Sequence, residues 1–363
     1  MRFKSRTEAA PSLHGASLQP TRGAIAGVRR DCLEIAFVNN MPDSAVAATQ
    51  AQFMRLVRAA LGETAFKFRC YLSRNVRRSE ETRRILRQTH DDLDVLFERG
   101  ADVLIVTGAE PQSPLLTDEP YWPDLARLVD WARDHTATSL WSCLAAHAAA
   151  LRLDGITRRR AAEKFSGVYA FERNLDDCLV RGAGPMVTTP HSRYNGLAHS
   201  ELVRSGYQIS SWSESVGVNV FWRREPSHFV FTQGHPEYDA ETLLREYRRD
   251  VIRFLAGERD AYPRVPENYF RPRTEDRLER FKARAVGRGR EGHEEVLDEI
   301  LTAEELEIGW AADSARLYHN WLAPVVREKS RAASQGGATR TALRQGATAS
   351  DESAMPGALG LKA

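Results

Sequence analysis

Cysteine is scarce in this chain. Four residues, Cys32, Cys70, Cys143 and Cys178, are spread over 363 positions, and no two form a C-x-x-C pair. That spacing argues against a disulfide framework or a zinc site, and it fits a reducing cytoplasm. No run of about 18 apolar residues occurs, so a transmembrane helix is not expected. The opening Met1-Arg-Phe-Lys-Ser-Arg6 lacks the apolar core of a signal peptide. Charge of one sign is also missing: 51 Lys and Arg against 49 Asp and Glu leave a net +2. Nothing in that balance draws nucleic acid or a membrane surface. The basic residues are interleaved with acidic ones, as in Arg77-Arg-Ser-Glu-Glu-Thr-Arg-Arg84, the pattern of a solvated helix face.

What is present is the composition of a globular protein, 42% hydrophobic and 28% charged. Residues 1–30 are Gly-, Ser-, Pro- and Arg-rich without period and read as a flexible N-terminal arm. Residues 31–330 read as a single α/β domain, with a charged insertion near 273–315 and a disordered tail over 331–363. Within the domain, Leu33–Val38 is a buried-strand pattern. Asn39-Asn-Met-Pro-Asp43 makes a turn, with Asp43 or Ser44 as candidate cap, and Val46–Leu61 has helical spacing with Gly62 as its stop. Phe66–Leu72 reads as a second strand, Ser79–Glu98 as one charged helical segment, and Asp102–Gly108 as a central parallel strand. A Pro-rich loop, a helix over Tyr121–Asp134 and a strand over Thr136–Ser142 follow. The alternation predicts a doubly wound, mostly parallel sheet flanked by helices, with ligands at the carboxyl ends of its strands. After Asp154 the expected strands are shorter and antiparallel or mixed, and Pro190-His-Ser-Arg-Tyr194 reads as a polar loop.

Cys143 stands where a strand stops and the Ala-rich helix from Leu144 begins. Such an elbow aims a side chain outward, and the free N–H groups of the first helical turn favour thiolate. Most free cysteines are instead small buried apolar residues, and this stretch alone fits either reading. A second strand delivers Gly234-His235-Pro236-Glu237 into the turn before another helix. A thiol nucleophile needs a base near neutrality, and the imidazole needs an acceptor to fix its tautomer; His235 and Glu237 suit those parts. Together the two patterns raise catalysis above packing. His147, at i+4 from Cys143, points along the helix and suits packing or a substrate-facing role. His191 reads as a solvated loop residue, and Cys32, Cys70 and Cys178 as core.

These residues resemble the class I glutamine-amidotransferase fold, with its Cys-His-Glu triad. A more specific resemblance is carried by Asn40-Met-Pro42, Thr107-Gly-Ala109, Tyr121-Trp-Pro123, Glu163-Lys-x-Ser-Gly-Val-Tyr169, Pro190-His-Ser-Arg-Tyr194 and Gly234-His-Pro-Glu-Tyr-Asp239. In that order, extended by Asn268-Tyr-Phe270 and Asn320-Trp-Leu322, they are similar to the homoserine O-succinyltransferase family of methionine biosynthesis, over about residues 33–323. The resemblance implies Cys143 as acyl-thioester nucleophile, His235 as general base and Glu237 as its orienting partner. It places Lys164, Ser192 and Arg249 on the amino-acid substrate. The implied reaction is ping-pong transfer from succinyl-CoA or acetyl-CoA to homoserine, with no cofactor or metal, in a cytoplasmic homodimer. An oxyanion hole from the Leu144 N–H and the Asn40–Met41 turn is expected.

The chain departs from the family in two places. Asp43-Ser44 replaces a basic pair after the Met-Pro turn. At the position associated with donor choice, where Gly goes with succinyl and Glu with acetyl, an ungapped reading puts Gln112. Succinyl is favoured over acetyl. The alternatives are an O-acyltransferase acting on serine or another hydroxy amino acid, and a glutamine amidotransferase-type hydrolase.

Overall fold

A computed structural model describes residues 32–224, 227–287, 293–302, 306 and 308–348. The N-terminal arm expected over 1–30 lies outside them. In chain order the first half runs β1 (Leu33–Val38), α1 (Val46–Leu61), β2 (Phe66–Leu72), α2 (Glu80–Leu86), β3 (His90–Asp92), α3 (Leu93–Arg99), β4 (Val103–Val106), α4 (Trp122–His135), β5 (Thr138–Ser142) and α5 (Leu144–Asp154). The second half runs β6 (Arg159–Arg173), β7 (Met186–Gly196), α6 (His199–Arg204), β8 (Gln208–Ser213), β9 (Gly217–Arg224), β10 (His228–Thr232), α7 (Thr242–Leu255), α8 (Pro272–Gly287), α9 (Glu294–Thr302) and α10 (Ala311–Thr348).

All ten strands form one sheet in the order β3-β2-β1-β4-β5-β10-β9-β8-β6-β7. The six from β3 to β10 are parallel, and the remaining four run antiparallel to their neighbours. Period-two alternation divides the parallel half between two cores. Leu33, Ile35 and Phe37 of β1, with Val103, Ile105 and Leu140, pack under α1 and α10. Ala36 and Val38, with Leu104, Val106 and Trp141, face α3, α4 and α5 on the other side. Helix α5 is buried nearly all round, which its small alanines permit against both sheet and α4.

Several local expectations change. The segment read as one helix over Ser79–Glu98 is broken into α2, β3 and α3, because His90 turns into the sheet edge beside Cys70. Ser79, not a distant residue, caps α2 by accepting from the Thr82 N–H. Neither Asp43 nor Ser44 caps α1, whose N-cap is Ala45. Asp43 instead accepts from the Ser79 N–H at 2.8 Å and faces Arg78, which donates to the Asn39 and Met41 carbonyls and pins the Met-Pro turn. The charged insertion folds as α8 and α9, whose Leu278, Phe281, Leu297 and Ile300 close over Tyr247, Val251 and Phe254 of α7. Helix α10 packs Trp321 against the sheet, its Nε1 donating to Thr138 at 2.7 Å. That helix continues to Thr348, through the first part of the stretch read as a tail, and residues 349–363 lie outside the described residues.

Candidate functional site

Strands β5 and β10 are parallel neighbours in register, Ser142 opposite Thr232. The residues that follow each strand therefore emerge side by side at one sheet edge. After β5 the backbone turns sharply: Cys143 has φ +51° and ψ −111°, and its N–H donates to Thr232 O at 2.7 Å. A non-glycine residue there costs of order 1–3 kcal/mol, which the flanking strand and helix must hold. The conformation leaves Cys143 partly exposed while Ser142 and Leu144 are buried. Gly108, at the end of the β4 connection, approaches so closely that a Cβ on it would stand 3.2 Å from the Leu144 nitrogen. A side chain on that loop would crowd the first amide of α5.

The Asn40–Met41 turn does not join the expected oxyanion hole. Its amides are already committed, Asn40 N–H to Thr107 Oγ1 at 2.8 Å and Met41 N–H to Asn39 Oδ1 at 3.2 Å. The Leu144 amide and the Gly108 loop remain beside the thiol.

After β10, His235 is anchored by its backbone N–H on Pro190 O at 2.8 Å. Its Nδ1 lies 2.8 Å from Glu237 Oε1, and the Cys143 side chain also acts on the ring. Burial works against a charged imidazole, yet the Glu237 carboxylate and the Cys143 partner outweigh it and hold its pKa well above the ordinary value. Glu237 is itself buried, and its Oε2 has no partner among the described residues. The turn fits because residue 234 is glycine. A Cβ there would come within 2.6 Å of His191 Nε2 and Thr189 Cγ2, and within 2.9 Å of Asn219 Oδ1.

Lys164, Ser192 and Arg249 also converge, and they do so on two residues that the sequence reading missed. Ser192 donates to Glu246 Oε2 in a very short hydrogen bond, and Lys164 Nζ lies 4.0 Å from the same oxygen. Asp250 takes Lys164 at 3.4 Å, Arg249 at 2.9 Å and Arg259 at 3.4 Å. Burial raises a carboxyl pKa, but these three cations hold Asp250 below its usual range. Glu246, Arg249 and Asp250 share one side of α7 by i, i+3, i+4 spacing, along the edge of its buried stripe, where Asp250 is itself buried beside Leu243 and Tyr247. That spacing was a visible signal. The arrangement offers cations for a carboxylate and an acid for an ammonium group, as an amino acid requires.

Gln112 lies exposed in the loop after β4. The buried Glu119 carboxylate fastens that loop, accepting from the Gln112 and Ser113 N–H groups, both at 2.9 Å. Arg158 donates from Nη2 to the carbonyls of Ser113 at 3.1 Å and Pro114 at 3.0 Å.

The other histidines and thiols fall out differently from expectation in two cases. His191 is not a solvated loop residue: Pro190–Tyr194 belongs to β7, and the imidazole is fully buried, accepting from Arg193 Nε at 3.0 Å. Cys178 is exposed, not core, because it sits in the turn after β6 and not in a strand. Cys32 and Cys70 are buried as expected. His147 is packed, its Nε2 3.0 Å from Gln233 Oε1, and burial pushes its pKa down to about 3. Among the described residues no cluster of His, Cys, Asp and Glu is suited to a metal ion, and no helix is long and apolar enough to cross a membrane.

A doubly wound α/β sheet with a strained cysteine elbow beside a His–Glu pair defines the structural class of this protein. Comparison narrows it. The chain belongs to the homoserine O-succinyltransferase family, whose model matches residues 17–331. A homoserine O-succinyltransferase of Rhodopseudomonas palustris is 42% identical over 89% of this chain and 96% of that protein. One from Bradyrhizobium japonicum is 46% identical over 80% of this chain and 89% of its own length. Among solved structures, a glutamine amido transferase from Methylobacillus flagellatus aligns at TM-score 0.45 and 14% identity, over 80% of this chain and 94% of that one.

Proposed function

We propose that this chain is a homoserine O-acyltransferase that works through a thioester on Cys143, with succinyl favoured over acetyl. The observation that carries the reading is the Cys143–His235–Glu237 arrangement, set beside a charged cluster with the polarity of an amino acid. In the first half-reaction Cys143 Sγ attacks the thioester carbonyl of an acyl-CoA. The developing oxyanion is met by the Leu144 amide at the N-terminus of α5. As the tetrahedral intermediate collapses, coenzyme A leaves as thiol with the proton that His235 took from Cys143.

In the second half-reaction the homoserine hydroxyl gives its proton to His235 as its oxygen attacks the thioacyl carbon. Collapse releases O-acylhomoserine, and His235 returns the proton to Cys143. Glu237 holds the imidazole tautomer and stabilises its charged form. Arg249 and Lys164 receive the acceptor carboxylate in exchange for part of their pairing with Asp250. Glu246 takes the ammonium group, and Ser192 orders Glu246. Gln112 borders the acyl donor on the loop after β4. In this reading the enzyme acts in the cytoplasm as a homodimer in methionine biosynthesis. Its substrates are small molecules, acyl-CoA and homoserine, and it uses no cofactor, metal, nucleic acid or membrane.

Intact-protein mass after brief exposure to succinyl-CoA or acetyl-CoA without acceptor tests it. Wild type should gain one acyl group and Cys143→Ala none, and homoserine should discharge the adduct. No adduct from either thioester on folded protein overturns the reading, and discharge by serine alone changes the acceptor.

A further inference from the structure

Two guanidinium groups lie within electrostatic reach of Cys143, and they differ in what they can still do. Arg193 is buried and occupied. It donates to His191 Nδ1, to Asn195 O at 2.7 Å and to Val216 O at 2.7 Å, and it lies over the ring of Phe165. Nothing entering the site can reach it without dismantling those contacts.

Arg158 is only half-buried. Both N–H groups of its Nη2 are spent on the Ser113 and Pro114 carbonyls, which fixes the guanidinium against the loop that carries Gln112. Its Nε and Nη1 make no hydrogen bond among the described residues, and no carboxylate there stands within ion-pair distance of it. The buried Glu119 contributes to the field at Arg158, but its oxygens are used by the loop amides. Its field also reaches His147, one helical turn along α5 from the nucleophile. The guanidinium is therefore held at this loop, within the field of Cys143 and His147, with unspent donors and no carboxylate in direct contact among the described residues.

An acyl group on Cys143 that carried a second carboxylate would complete this arrangement. In a succinyl thioester two methylenes separate the reacting carbonyl from a free carboxylate, whereas an acetyl group ends in a methyl. A planar guanidinium held by one nitrogen and free at the other two suits that carboxylate. We propose that Arg158 is the donor-selecting residue of this enzyme, receiving the distal carboxylate of a dicarboxylic acyl group on Cys143. The inference rests on the acyl-transfer reading above and deepens it. It moves donor choice from Gln112, whose backbone shapes the loop, to a cation in the connection between α5 and β6.

Single-turnover acylation of Cys143, followed by quenched intact mass, tests this with succinyl-CoA, butyryl-CoA and acetyl-CoA. Butyryl has the length of succinyl without its charge. Arg158→Gln should slow acylation by succinyl-CoA about a hundredfold, the scale of a lost charge-assisted pair, and leave butyryl-CoA and acetyl-CoA within about threefold of wild type. Arg158→Lys should recover part of the succinyl rate and leave the butyryl and acetyl rates near wild type. An equal fall for succinyl and butyryl overturns the proposal, because Arg158 would then be supporting the loop or holding a phosphate of coenzyme A. A wild type acylated faster by butyryl-CoA than by succinyl-CoA overturns it as well. Failure of the acyl-transfer reading has a separate signature, no adduct on wild type from any of the three donors.

Discussion

The phenol ring of Tyr238 lies face to face with the imidazole of His235, centroids 4.3 Å apart and planes 16° from parallel. Its hydroxyl donates to Glu246 at 2.7 Å, and its backbone carbonyl accepts from Trp310 Nε1 at 3.0 Å. One side chain thus touches the His235 imidazole on its face and the Glu246 carboxylate at its tip. Tyr238→Phe keeps the stack and removes only the bond to Glu246. The KM for homoserine should rise about tenfold, or about 1.4 kcal/mol, with acylation of Cys143 by the donor unchanged. An equal loss in both half-reactions would show that the phenol acts through His235 instead.

The His235–Glu237 pair should leave a signature in stability against pH. A histidine whose native pKa lies above its unfolded value binds its proton more tightly when folded. Its contribution is complete below the unfolded pKa of about 6.5 and fades as pH rises through the higher native value. Glu237→Gln should therefore destabilise the protein most, by roughly 2–3 kcal/mol, near about pH 6, and by less near about pH 9. Urea unfolding of both proteins at the two pH values measures the gap. A gap that widens with pH would contradict the assignment of the imidazolium to this pair.

Gly234 is the tightest point of the site. Gly234→Ala would drive its methyl into His191, Thr189 and Asn219, all closer than real Cβ contacts and all buried. The backbone can yield only by moving the His235 turn. Overpacking of this kind costs about 1–3 kcal/mol. The larger effect should be on turnover, a fall of about a hundredfold as His235 shifts from Cys143. Circular dichroism with a kinetic assay separates the two. A folded Gly234→Ala enzyme with wild-type turnover would show that the turn is not held by this contact.

Much of this was legible locally. Strands β1 and β2 and helix α1 fall on the residues their patterns predict, because alternation and helical spacing report burial directly. The cysteine elbow and the His-Pro-Glu turn were legible for the same reason, each being a strand-to-helix junction with a chemically distinctive residue at it. Local pattern failed where a distant partner decided the outcome. Pro190–Tyr194 has a polar, loop-like composition, yet Pro190 to Arg193 pair in register with β6 and His191 is sealed beneath Gly234. His90 interrupts a helical run only because the edge of β2 is there to receive it.

The sequence by itself determined the elements, the elbow at Cys143 and the residue types the chemistry needs. Hydrophobic period and turn chemistry act over a few residues and are written in the chain order. Only the tertiary structure decided that β10 inserts beside β5, bringing His235 to Cys143, and that Glu246 and Asp250 gather Ser192, Lys164 and Arg249. It also decided that the Asn40–Met41 amides are spent on Asn39 and Thr107. Strand order and hydrogen-bond commitment depend on which surfaces meet when the whole sheet closes, and no short window of sequence carries that information.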